Sequence, residues 1–321
     1  LKTMSSLVNV AERVLKNNLG AKEGESLLVI TDTVKKSIGE AIFQAGLDLG
    51  LEAILVVMKP RSRNAEEPPK PIAEAWKEAD VFLAPTKYSL THTQARKRAV
   101  EAGARGATMP GITEEMFKRT LSLDYSEVAR LSNIVADVLS KVSEAHVISE
   151  AGTDIKFSLE HRRAKADTGI YDKPGSFGNL PAGEAFIAPV EGTAEGVIIV
   201  DGSIASIGLV SEPVKITVRK GFAEEFYGKE ALMLKKTLES VGLREAFNLA
   251  EFGIGTNAQA RISGNILEDE KAYGTVHFAF GDNSTFGGKT KAGIHLDVLV
   301  RKPTVYLDGE KIMDRGILLI P

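Results

Sequence analysis

Five side chains in the second half of the chain are of types that bind divalent metal ions: Glu184, Glu251, His277, His295 and Asp297. Glu184 closes Leu-Pro-Ala-Gly-Glu, Glu251 stands in Ala-Glu-Phe-Gly-Ile-Gly, His277 in Val-His-Phe-Ala-Phe-Gly, and His295 and Asp297 flank Leu296. The chain has five histidines, and two of them are here, 18 positions apart. Imidazole and carboxylate are the donors of a zinc, cobalt, manganese or iron site when no thiolate is available. This chain has no cysteine. The set points to a metal-dependent enzyme.

Each residue also has a plainer reading. His295 and Asp297 are two apart in an apolar run, so on a strand both face one side, with Ile294, Leu296 and Val298 on the other. That presents two ligands from a rigid element, or a surface ion pair. His277 alternates with Ala279 in the same way, and a lone histidine in such a strand is more often a hydrogen-bonded core residue than a ligand. Glu184 precedes the apolar run 185–190 and needs a partner if it is buried. A cation would serve, or an arginine such as Arg162 or Arg163. Glu251, among glycines that allow close backbone approach, poses the same choice. Glu268, Asp269 and Glu270, in a row before Lys271, read as a solvated helix face, and Asp282 as turn chemistry. Residues 286–289 lack the phosphate-loop spacing, and there is no Gly-x-Ser-x-Gly element and no thiol nucleophile.

The elements that must position these residues come in two styles. Before residue 145, apolar runs at 26–30, 53–58, 80–84 and 106–109 alternate with helical patterns at 34–49, 72–78, 92–102 and 113–120. This rhythm predicts an α/β, doubly wound parallel sheet, opened by a helix at 7–18 and closed by one at 126–143. From 146 to 321 helical periodicity gives way to alternation, apart from a helix at 229–241. Asp201-Gly202 and Asp308-Gly309, each between apolar runs, read as hairpin turns. The expectation is an N-terminal domain over 1–145 and a mixed, largely antiparallel α+β metal-binding domain over 146–321.

At 321 residues, two domains are the natural expectation. A net charge of −3 with interspersed signs gives no bulk attraction to nucleic acid or an anionic membrane. No apolar run approaches the roughly 18–20 residues that span a bilayer, and no signal-peptide pattern is seen, so a cytoplasmic location is expected. Absent cysteine and abundant Lys and Glu fit a thermophile.

The ordered set of residues 179–189, Glu251, 277–281 and 295–297 resembles the thermophilic metallo-aminopeptidases of the aminopeptidase T and aminopeptidase S type. Residues 89–93 and 109–111 match more loosely. The resemblance implies a dimeric hydrolase that removes N-terminal residues from short peptides. It implies two divalent ions, zinc or cobalt with manganese or iron as options, on Glu184, Glu251, His277, His295 and Asp297. Glu184 and Glu251 would share in catalysis, one carboxylate bridging ions about 3.5–4 Å apart. One departure stands out: the family's tyrosine seven residues after the first histidine is replaced here by Ser284. The 2,5-dihydroxypyridine dioxygenases resemble these peptidases, and a mononuclear iron(II) site on His277, His295 and Asp297 is the alternative, as is a non-catalytic metal- or ligand-binding relative.

Overall fold

Runs of branched apolar residues between glycine stops become parallel strands in the computed structural model, which describes residues 2–320. Five strands lie in the order Glu52–Met58, Ser26–Asp32, Val81–Thr86, Arg105–Pro110 and Phe177–Asn179, all parallel. Helices Lys36–Asp48, Lys70–Lys77 and Gln94–Glu101 connect the first four. A parallel sheet covered on both faces buries every side chain of its central strands. Val81–Thr86 is buried at all six positions, and Trp76 packs edge-on against Phe82 with ring centroids 5.1 Å apart. Two helices start where a threonine hydroxyl takes an orphan N–H: Thr93 from Arg96 and Thr113 from Met116. Gly106 is required by packing, since a Cβ there would lie 1.9 Å from the Phe82 carbonyl oxygen. The fifth strand, Phe177–Asn179, was not anticipated: at three residues it carries no periodic signal. It belongs to this compact unit, which comprises the chain up to Ser126 together with Gly169–Ala182.

The second unit, Glu127–Thr168 with the chain from Gly183 onward, holds two antiparallel sheets, one of eight strands and one of seven. The fold is therefore α/β with a parallel-sheet unit and an antiparallel unit, as the alternation implied. The aromatic core joins the two antiparallel sheets: Phe157 of the larger packs 5.2 Å from Phe252 and 6.0 Å from Phe278 of the smaller. Asp308-Gly309 makes the expected two-residue turn, with positive φ at both residues and Leu307 opposite Glu310. Asp201-Gly202 does not. The strand before it, Glu195–Val200, belongs to the eight-stranded sheet and Ser203–Ile204 to the seven-stranded one. The Asp201 carboxylate instead accepts the Arg301 N–H at 2.7 Å, which lets the chain step between sheets. Among the described residues no helix is long and apolar enough to cross a membrane.

Candidate metal centre

The seven-stranded sheet gathers all five sequence-predicted residues on one face. Its central strands are Glu184–Ile187, Leu249–Gly255, Thr275–Gly281 and His295–Arg301, each antiparallel to the next. Their register places Glu251 opposite Ala279, and Ala279 opposite Asp297. One row along, Phe186, Gly253 and His277 align, and Glu184 lies opposite Gly255. Because side chains alternate between faces, Phe252, Ile254, Phe278, Phe280 and Val298 enter the core while the ligand-type residues share the other face. Small residues separate them. A Cβ on Gly253 would fall 2.0 Å from His277 Nε2, so the imidazole reaches its neighbours only because that position has no side chain.

The polar atoms form a continuous string. His277 Nε2 lies 3.0 Å from Glu184 Oε2 and 3.2 Å from Glu251 Oε1. His295 Nε2 lies 3.3 Å from Glu251 Oε2 and 3.6 Å from Asp297 Oδ1. Two groups able to hold a metal ion result, Glu184–Glu251–His277 and Glu251–His295–Asp297, and they share Glu251. Ligands bonded at roughly 2.1 Å stand about 3.0–3.4 Å apart around an octahedral or tetrahedral ion. The observed separations are close to this spacing, and the donors are all nitrogen or carboxylate oxygen, so the cluster fits a divalent cation.

The electrostatics show what the cluster does with no ion in it. Burial alone would raise the Glu251 carboxyl, but hydrogen bonds from His277 and His295 outweigh it and bring it down to about 2. Burial pulls both histidines down; contacts with Glu184 and Glu251 for His277, and with Asp297 and Glu251 for His295, lift both well above the ordinary imidazole value. Protons thus stand in for metal charge, and ion binding would release them.

The two histidines are wired differently. His295 Nδ1 lies 2.8 Å from the Asp282 carbonyl oxygen. A carbonyl only accepts, so Nδ1 carries the hydrogen and neutral His295 presents a bare Nε2 to the carboxylates. Asp282 is therefore more than turn chemistry. Its carboxylate also accepts from the N–H groups of Ser284 and Ala292, both at 3.0 Å, which fixes the loop carrying that carbonyl. His277 is fully buried, and its Nδ1 has no hydrogen-bond partner among the described residues.

One member of the site was missed. Lys271 is 2% exposed, and its ammonium donates to Glu184 Oε1 at 2.6 Å and to Glu270, with Asp167 at 3.6 Å. It, and not an arginine, is the cationic partner of Glu184; Arg162 pairs with Glu191. The acidic run before Lys271 is not a solvated face. Glu268 and Asp269 are 1% and 0% exposed. Glu268 accepts the Arg261 N–H, and Asp269 accepts from Ser203 and from the backbone of Ser263 and Gly264. Burial raises Glu270 to about 8, against the pull of Lys271.

A family model described as NicX, 2,5-dihydroxypyridine 5,6-dioxygenase, matches residues 6–320. The chain belongs to this family. The 2,5-dihydroxypyridine 5,6-dioxygenase of Pseudomonas putida is 27% identical over 197 residues, covering 57% of this chain and 56% of that protein, so the match spans just over half its length. The solved structure of 2,5-dihydroxypyridine dioxygenase from Pseudomonas putida superposes with a TM-score of 0.82 at 22% identity, covering 99% of this chain and 98% of that one. AmpT from Thermus thermophilus superposes with a TM-score of 0.73 at 19% identity, covering 98% and 99%. At these identities the two superpositions establish the fold. Membership of the NicX family overturns the expected aminopeptidase, and with it the hydrolase class and the peptide substrate. The expectation failed because imidazole and carboxylate serve both a hydrolytic and an oxygenase metal site. Ser284, where the peptidases carry tyrosine, was the residue that already departed.

Proposed function

We propose that this chain is an iron(II)-dependent oxygenase acting on a dihydroxylated pyridine, adding both atoms of dioxygen across one ring bond, as the name of its family describes. The observation that carries the reading is the single sheet face bearing nitrogen and carboxylate donors within a NicX-family chain. Zinc has no redox chemistry, whereas iron(II) with imidazole, carboxylate and open positions is the usual centre for non-haem oxygenation. The ion would be held among Glu251, His295, Asp297, His277 and Glu184 and would mediate the transfer of electrons from the ring to dioxygen.

The chain's own residues shape the rest. His295 is the most exposed of the five, its side chain 31% accessible, so the cluster is reached from that side. Phe286 stands edge-on to the His295 ring at 5.8 Å and to Phe186 at 5.4 Å. These two rings make an apolar wall beside the accessible end, suited to a flat aromatic substrate. The carboxylates offset the charge of the ion, and the Asp282 carbonyl holds the His295 ring in orientation.

The test is oxygen uptake. Protein loaded anaerobically with iron(II) is mixed with 2,5-dihydroxypyridine and aerated buffer. Consumption of one dioxygen per substrate is expected, with no turnover after zinc loading. Equal activity with zinc, or no uptake by iron-loaded protein across a panel of dihydroxypyridines, would sink the reading.

A further inference from the structure

Just past the carboxyl end of strand Val81–Thr86, residues 89–93 carry a cluster of hydroxyl groups. Thr91 Oγ1 lies 2.7 Å from Thr108 Oγ1 and accepts a hydrogen bond from Ser89 Oγ at 2.8 Å. The three-residue strand Phe177–Asn179 completes the cluster. Its register sets Asn179 beside Thr108, and the Asn179 amide donates to Thr91 Oγ1 at 3.5 Å. Phe177 is two residues earlier and so on the same face. The Arg96 guanidinium carbon stands over its ring, 3.8 Å from the centroid, and Arg96 Nε donates to the Thr91 carbonyl at 2.7 Å. Stacking and this bond fix the guanidinium plane, and among the described residues neither Nη nitrogen has an acceptor. All of these residues belong to the parallel-sheet unit, and ligands of such sheets bind beyond the carboxyl ends of the strands.

Arg96 is half-buried and has no counter-ion among the described residues. Burial lowers its pKa, and the acid that opposes this, Glu101, is beyond ion-pair distance. The start of the helix Gln94–Glu101 is not the binder. Thr93 takes the Arg96 N–H, and Glu67 takes those of Gln94 and Ala95. A guanidinium withdrawn from water without a partner is costly, and an anion from solution would remove that cost. With Nε committed, the edge left over is the Nη pair, whose parallel N–H groups match the two oxygens of a carboxylate. One guanidinium offsets one negative charge, whereas a phosphate brings about 1.5–2. We propose that Arg96, stacked on Phe177 and joined to the hydroxyl cluster through Thr91, binds the carboxylate of a small organic acid. This depends on neither the metal nor the dihydroxypyridine reading.

The experiment is calorimetric titration of the whole chain at fixed ionic strength with benzoate and, separately, inorganic phosphate. It is run anaerobically with iron(II) bound and again after chelation, because a metal ion also accepts carboxylates. Saturable benzoate binding with the same Kd in both forms is expected, tighter than that of phosphate. Arg96→Gln should weaken it roughly tenfold or more, as loss of a charge-assisted hydrogen bond does. Arg96→Lys, which keeps the charge but not the fork or the stack, should weaken it in the same direction. Arg98→Gln, exposed on the same helix, should leave it unchanged. No saturable binding by the wild type, binding lost on chelation, preference for phosphate, or an unchanged Kd in folded Arg96→Gln would each overturn the proposal. Should Arg96→Gln fail to fold, Arg96→Lys decides on the same criterion. A failed oxygen-uptake assay would leave this titration untouched, so the two readings fail separately.

Discussion

The parallel sheet and the site-bearing sheet use the same alternation of side chains to different ends. In the parallel sheet both faces are core: Val81–Thr86 is buried throughout, and its neighbours are Trp76 and Leu28. In the site-bearing sheet one face is core, while the other carries charge spaced by glycine and alanine. The first arrangement is stable and chemically silent. The second gives up apolar contact on one face, and the ion-pair network there is held by hydrogen bonds and register. Removing a residue should therefore cost stability in one sheet and metal in the other.

Asp297→Ala and Phe82→Ala put this contrast to its hardest test. Asp297→Ala should lower metal affinity and activity by more than about 100-fold, since loss of a supporting residue alone costs 10–100-fold, with a fold that survives. Phe82→Ala should destabilise by about 3–5 kcal/mol yet leave the metal content of the folded fraction unchanged. Elemental analysis beside denaturant melts separates the two effects; equal metal loss in both variants would dissolve the distinction.

Chelation sharpens it. At an ion concentration 100 times Kd, removing the ion should cost about 2.7 kcal/mol, visible as a fall in Tm. The size should depend on pH. His277 and His295 are raised above their ordinary value of 6.5 in the ion-free protein. Their contribution to stability is full below the unfolded value and is lost as pH rises through the folded one. The ion replaces those protons, so the Tm gap between loaded and chelated protein should widen with pH above 6.5. A gap that stays constant or narrows would remove the histidines from the linkage.

Gly253→Ala should have the smallest effect. The added methyl would press on His277 Nε2, so the ring must turn away. A loss of about 1–3 kcal/mol is expected, with weaker metal binding. Gly106→Ala, crowding a backbone carbonyl of the parallel sheet, should destabilise without that second effect. Isothermal titration of metal into both variants distinguishes them.

What could be read in the sequence follows from the range of each interaction. Four of the five strands of the parallel sheet were legible as apolar runs such as Leu27–Ile30, whereas Phe177–Asn179 is too short to carry a pattern. The pairing of His295 with Asp297 was legible because the period of two puts both on one face. Lys271 was not legible, because its partner Glu184 is 87 positions away and an acidic run beside a lysine looks like solvated surface. Asp201-Gly202 announced a bend correctly, but a turn signal says nothing about which sheet receives the next strand. The choice between peptidase and oxygenase was not legible either, since the same donors serve both.

The Asp282 carbonyl that holds the His295 ring also bears on the timing of metal exchange. Four of the five cluster residues are 8% exposed or less, so traffic passes His295. Asp282 and Phe286 stand beside that entrance on one short loop. Opening that loop would release the ring and the aromatic wall together, so the residence time of a bound ion would follow that local backbone motion as well as the strength of its bonds.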